Sequence, residues 1–164
     1  MSIKGKVWKY GDNINTDVIF PGKYTYTVSE PSEMAKHALE DLDPNFAKNV
    51  KPNDIIVAGL NFGCGSSREQ AAFCLKYNNI GAIIAKSFSR LFFRNAVNAG
   101  IPVIQSREAV DFIKNNEEIE IDFKKGEINS RGKIFTFPPL PESILGIIND
   151  GGLIPHTKKI LGIE

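Results

Sequence analysis

Along the chain, solid apolar runs alternate with stretches of helical spacing, and no linker-like segment separates them. Gly5 to Trp8 predicts a first strand, Gly11 to Asp17 a turn-rich loop, and Val18-Ile19-Phe20 a short strand stopped by Pro21-Gly22. Ser32 to Leu39 predicts a helix with Ser32 as its cap, and Asp43 to Lys51 a polar loop. Asp54 to Gly59, Ala82 to Ala85 and Ile101 to Gln105 are apolar enough for strands buried on both faces. Between them lie two helical stretches, Ser67 to Tyr77 and one from Ser89 that stops at Gly100. A short helix over Ser106 to Asn115 follows.

The texture then changes. Ile119 to Phe123, Glu127 to Asn129 and Lys133 to Phe137 alternate, with Lys125-Gly126 and Arg131-Gly132 as hairpin turns. Pro138-Pro139 breaks the chain, and Glu142 to Ile148 is expected as the last helix, ending at Gly151-Gly152. Strand–helix–strand–helix–strand through the middle requires right-handed crossovers and a parallel core, here flanked by antiparallel pieces. The expectation is one mixed α/β domain over residues 1–164, without repeats.

Composition narrows the function classes. A chain of 164 residues, 42% hydrophobic and 24% charged, has the balance of one ordinary domain with a proper core. The net charge of +1 builds no field for nucleic acid or an anionic membrane surface. The longest apolar runs fall far short of the roughly 18 residues of a membrane span, and Met1 to Lys6 lacks the apolar stretch of a signal peptide. Two cysteines, Cys64 and Cys74, make neither a disulfide scaffold nor a metal site alone. The expected compartment is the cytoplasm.

Asn61-Phe62-Gly63-Cys64-Gly65-Ser66-Ser67-Arg68-Glu69-Gln70 holds the densest candidate chemistry. It follows a buried strand and opens a predicted helix, so its N–H groups are expected to face outward at a helix N-terminus. Gly63 and Gly65 allow left-handed backbone angles and close approach to a ligand. Ser66 to Glu69 matches a capping box. Arg68, expected in the first helical turn, opposes the helix dipole by roughly 0.3–1 kcal/mol. A bound anion offsets that cost, because a guanidinium grips a carboxylate as a planar fork. The plain alternative is a capped turn carrying a surface arginine. A P-loop, a dinucleotide fingerprint and a nucleophile elbow all fail on the residues present. Asp12-Asn13-Ile14-Asn15-Thr16-Asp17 reads alone as a turn. In Phe88-Ser89-Arg90-Leu91-Phe92-Phe93-Arg94-Asn95, the aromatics read as core and the two arginines, four apart on one face, as solvated or paired.

Together, the segments Asp12 to Asp17, Asn61 to Glu69, Ala85 to Asn95 and Gly151 to Ile154 resemble the 3-isopropylmalate dehydratase small subunits, the swivel domain of the aconitase superfamily. The resemblance runs from near residue 3 to near 160. It implies a β/β/α swivel domain and a function split between two chains. A larger subunit holds a 4Fe-4S cluster through three cysteines, and no cofactor resides in this chain. The implied reaction is reversible dehydration and rehydration of a small hydroxy di- or tricarboxylic acid, 2-isopropylmalate and 3-isopropylmalate in leucine biosynthesis. By resemblance Ser66 is the base, acting as an alkoxide, with Arg68 and Asp17 also catalytic. Ser67, Gly65 and Thr16 are implied as substrate contacts.

Substrate choice in the family is read by a loop that often carries Tyr-Leu-Arg-Thr. Here Tyr24-Thr25-Tyr26-Thr27 stands in its place, so Tyr26 replaces a cation, and Tyr26 and Thr27 are the implied substrate contacts. The change admits homoaconitate-type acids or 2,3-dimethylmalate, and a packing role for Tyr26 accounts for it equally well. Two other function classes stay open: a stand-alone anion-binding module, and a structural partner that only closes the larger subunit's cleft.

Overall fold

β1 (Ser2–Lys9) is the strand from which both halves of the sheet grow. A computed structural model describes residues 2–163; Met1 and Glu164, the ends of the expected domain, lie outside them. The sheet has seven strands in the order β4-β3-β2-β1-β5-β6-β7. On one side β1 pairs in parallel with β2 (Ile55–Ala58), followed by β3 (Ala82–Ala85) and β4 (Val103–Gln105), with Val7 opposite Ile55 and Ile56 opposite Ile83. On the other it pairs antiparallel with β5 (Glu118–Asp122), then β6 (Glu127–Ser130) and β7 (Lys133–Thr136). The parallel core with antiparallel flanks is the architecture that the hydrophobic pattern predicts.

Burial follows the pattern strand by strand. Every residue of β2 and β3 is buried, as a sheet covered on both faces requires. β5 alternates, with Ile119 and Ile121 inside and Glu118 and Glu120 outside. One core packs Trp8, Ile56, Ile83 and Phe92 beneath the helices α4 (Gln70–Lys76) and α5 (Arg90–Asn98). The other packs Val7, Ile55, Ile84 and Ile128 under α6 (Arg107–Phe112) and the antiparallel strands. Ser89 and Ser106 cap α5 and α6, accepting from Phe92 N–H and Ala109 N–H. At the β6–β7 turn both Arg131 and Gly132 take positive φ, 49° and 82°, the twist that a two-residue hairpin requires.

Four expectations are corrected. Val18-Ile19-Phe20 is not a strand: α1 (Thr16–Ile19) occupies it, capped by the Asn15 side chain, which accepts from Val18 N–H. Ser32 is not a cap, because Pro31 opens α2 (Pro31–Lys36) and Glu30 stands at the boundary. The polar loop over Asp43 to Lys51 contains a single helical turn, α3 (Phe46–Asn49), which buries Phe46 against Trp8 and Tyr10. After α7 (Glu142–Asn149) the chain forms one more helix, α8 (Leu153–Leu161). Its Pro155 lies in the first turn, where a missing N–H costs nothing.

Asp54 fastens the start of the parallel half. Its carboxylate is buried and accepts from Trp8 Nε1 at 3.0 Å, Lys51 N–H at 2.9 Å and Lys6 N–H at 3.2 Å. Asp54→Ala leaves three donors without a partner, two of them on β1. The expected loss is about 3 kcal/mol of unfolding free energy, read from the urea midpoint at an unchanged m-value.

Candidate active site

The loops that follow β1 and β2 meet because the two strands run in parallel and end at the same edge. Their pairing continues past the strands: Gly63 N–H donates to Ile14 C=O at 2.7 Å and Thr16 N–H to Cys64 C=O at 2.8 Å. Asn15 and Cys64 form an isolated parallel bridge, and Phe62 forms another with Phe88. Gly63 has φ 81°, and a Cβ there would lie 2.2 Å from the Phe92 ring. Gly65 has φ 99° and faces Thr16, where a Cβ would make a tight contact 3.3 Å from the Thr16 hydroxyl. The left-handed glycines are therefore as expected, with a packing cause at Gly63.

The expected capping box does not form. α4 begins at Gln70, its boundary residue Glu69 makes no side-chain cap, and Ser66 to Arg68 are loop without regular structure. Ser66 is freed for other partners. Its Oγ lies 3.1 Å from Thr16 Oγ1 and accepts from Arg68 Nε at 3.1 Å. Ser66 Oγ keeps a second lone pair, so either hydroxyl can donate in the pair with Thr16. Arg68 is thus not a first-turn helical residue, and the helix-dipole cost expected for it does not arise.

Arg68 binds one stretch of chain at three points. Nη1 donates to Thr25 Oγ1 at 2.6 Å, and Nη2 donates both to the Asp17 carboxylate and to Phe20 C=O, the latter at 3.1 Å. The arginine side chain is 18% exposed while Asp17 is 71% exposed, so the cation is sheltered and its counter-ion faces water. Gly22 makes room for the pair, since a Cβ there would sit 3.3 Å from Asp17 Oδ1. Asp17 reaches Ser66 only through Arg68.

The remaining sequence candidates divide. Ser67 is exposed and its carbonyl accepts from Asn95 Nδ2 at 3.1 Å, which ties the loop to α5. Tyr26 is 99% exposed, so a packing role within this chain is excluded, and Thr27 is exposed beside it. Neither belongs to the Arg68 network; Thr25 does. Tyr24, at the root of the same loop, stacks on His37 at 3.9 Å. A hydrogen bond to Glu40 holds the Tyr24 phenol above its usual pKa. Arg90 and Arg94 are exposed, as expected.

Thr25, the Phe20 carbonyl and Asn95 were not among the residues that sequence reasoning selects. The signal that was present is Asn15, a good N-cap residue directly before Thr16-Asp17. Reading it as a cap bends residues 16–20 into a helical turn and carries Phe20 and Thr25 back over Arg68.

The site is a surface and not a chamber. The nearest cleft, of about 420 Å³, is walled by Thr25, Val28, Met34 and Phe73 and includes neither Ser66 nor Arg68. Among the described residues no group of three or more His, Cys, Asp or Glu side chains is placed to hold a metal ion. Cys74 is buried in α4 with Sγ directed at backbone carbonyls, and burial pushes its thiol pKa up strongly. Cys64 is half-buried in the loop. The thiols therefore do not fit a cluster.

Arg68→Ala should release residues 20–25 from the site. Trypsin cleavage after Lys23 is expected to accelerate by about tenfold, as local opening becomes easier by about 1.4 kcal/mol, with far-UV dichroism unchanged. An unaltered cleavage rate would mean that the arginine does not hold this segment.

Comparison with known proteins gives the chain its family. A family described as the aconitase C-terminal domain matches residues 8–109. The 3-isopropylmalate dehydratase small subunit of Thermodesulfovibrio yellowstonii is 50% identical, over 100% of this chain and 98% of that protein. That of Aquifex aeolicus is 48% identical, over 98% and 97%. The solved structure of 3-isopropylmalate dehydratase (LeuD) from Methanocaldococcus jannaschii superposes with a TM-score of 0.90 at 44% identity, covering 98% of this chain and 96% of that one. Sheet, loop geometry and similarity along the whole chain converge: this protein belongs to the 3-isopropylmalate dehydratase small-subunit family, built on the aconitase C-terminal domain.

Proposed function

We propose that this chain completes, with a larger cluster-bearing subunit, an iron-sulfur hydro-lyase that interconverts 2-isopropylmalate and 3-isopropylmalate, with Ser66 as the base. The observation that carries this reading is the pair of contacts on Ser66 Oγ, with Arg68 Nε donating to it and Thr16 Oγ1 beside it. Serine is a weak base in water. A guanidinium N–H aimed at its oxygen stabilises the alkoxide, and more strongly once water is excluded.

Ser66 first loses its own proton to solvent to give the alkoxide; the proton on the carbon beside the substrate carboxylate then passes to Oγ, from which it can return on rehydration. Thr16 Oγ1 shares a hydrogen bond with Ser66 Oγ and so fixes that oxygen's position, and as a donor it would also stabilise the alkoxide. Asp17 and Thr25 hold the Arg68 plane and act as positioning residues. Ser67 and the Gly65 backbone lie on the exposed rim, where a substrate carboxylate would approach. The partner's 4Fe-4S cluster supplies a Lewis-acid position for the departing hydroxyl.

Exposure of Ser66 and Ser67 supports the two-chain reading. A base that depends on a low-dielectric surrounding needs a second surface to cover it. Tyr26 points into solvent at the loop tip, where that surface would come to lie. With an aromatic ring in place of a cation, related acids of the homoaconitate or 2,3-dimethylmalate type form the second reading.

An anaerobic assay of this chain with its large subunit tests the proposal. Turnover of 2-isopropylmalate is expected, falling by about 1,000-fold or more in Ser66→Ala with little change in KM. Turnover of another acid instead would keep the base and transfer substrate choice to the Tyr26 loop. No turnover of any of these acids, with an active cluster present, would leave an anion-binding module.

A further inference from the structure

α8 is an amphipathic helix mounted with its apolar side outward. Its polar side is fastened to the body: His156 Nδ1 meets Asp150 Oδ2 at 2.7 Å, and Lys159 Nζ meets Asp150 Oδ1 at 3.2 Å. The His156 ring lies over Gly146 of α7, where a Cβ would come within 3.1 Å. Leu153, Ile154, Ile160 and Leu161 face solvent at 39–69% exposure, and no residue of the helix is buried.

These four residues are arranged symmetrically about Thr157. Ile154 and Ile160 stand three positions either side of it, and Leu153 and Leu161 four positions either side. Spacings of three and four place all of them on one helical face with Thr157 at its centre. A two-fold axis through an antiparallel helix pair sets position 157−k against 157+k of the other copy. Such an axis at Thr157 brings Leu153 onto Leu161, Ile154 onto Ile160, and threonine onto threonine, a small pair at the crossing point. Self-complementarity of this kind is what an isologous interface requires.

The size and place of the stripe agree. Three of its four aliphatic side chains are about two-thirds exposed, so two facing stripes with their flanks approach the roughly 1,000 Å² at which specific interfaces begin. The α7–α8 turn lies at the far ends of α4 and α5, where Lys76 Nζ donates to Gly151 C=O and Gly152 packs on Asn98. Ser66 and Arg68 lie at the opposite ends of those helices, so a subunit covering the site leaves the stripe available.

We propose that the outward face of α8 is a homodimer interface, a second copy of this chain docking antiparallel across a two-fold axis at Thr157. The inference is independent of the proposed reaction. Sedimentation equilibrium of the isolated full chain, from micromolar to submillimolar concentration, should show a monomer–dimer equilibrium. Ile160→Glu, which places two like charges in one apolar seam, should raise the dissociation constant by about 100-fold without shifting the thermal midpoint measured at concentrations where both chains are monomeric. Thr157→Cys should form a disulfide-linked dimer under mild oxidation beyond any linking of the wild-type chain, whereas Leu153→Cys, paired with leucine in this register, should not. A chain monomeric throughout, or a dimer indifferent to Ile160→Glu, or Thr157→Cys no better linked than wild type, would overturn the proposal. A monomeric chain whose Ile160→Glu variant loses the large subunit would assign the face to that partner and overturn it as well.

Discussion

One strand has to serve two ladders. Val7 to Lys9 of β1 bond in parallel to β2, while Ser2 to Lys6 bond antiparallel to β5. The parallel pairing decides where the chemistry can be. It sends the chain out of β1 and β2 at the same edge, so residues 10–25 and 59–69 become neighbours although about fifty positions separate them. The bridge between Asn15 and Cys64 and the two backbone bonds beside it extend that register into the loops. The Thr16 and Ser66 hydroxyls meet because the strands beneath them do.

On this frame a single cation is held from four directions. Arg68 is met by the Asp17 carboxylate, the Phe20 carbonyl and the Thr25 hydroxyl from one stretch of chain, and by the neighbouring Ser66 hydroxyl. A guanidinium has five donors in fixed directions, so its plane is set once these partners are in place. Order in a loop that belongs to no helix thereby comes from side-chain bonding, and the one Nε–H directed at Ser66 inherits it.

Much of the frame was legible because the forces behind it are local. Fully apolar runs announce β2, β3 and β4, and Arg131-Gly132 announces a hairpin whose residues both need positive φ. The glycines of the loop after β2 were legible for the same reason. Three features were not. Val18-Ile19-Phe20 is too short for period to separate strand from helix, and the Asn15 cap decides it. The Ser66–Glu69 spacing satisfies a capping box, but the hydroxyl takes tertiary partners that spacing does not reveal. α8 is hidden behind Gly151-Gly152, and an apolar stripe without an intrachain partner leaves no mark of its own in the core pattern. Membership of the family was legible from the four segments together, and the similarity extends well beyond them.

Trp8 is the only tryptophan in the chain, and it stands where the two ladders exchange. Its ring lies edge-on to Phe46 and beneath Lys6, and its indole N–H is bonded to Asp54. Intrinsic fluorescence excited at the red edge of the indole band therefore has one source, whose polar partners Asp54 and Lys6 are not among those of Arg68. The emission reports the integrity of that junction, so the exchange between the two ladders can be followed optically in the unmodified protein.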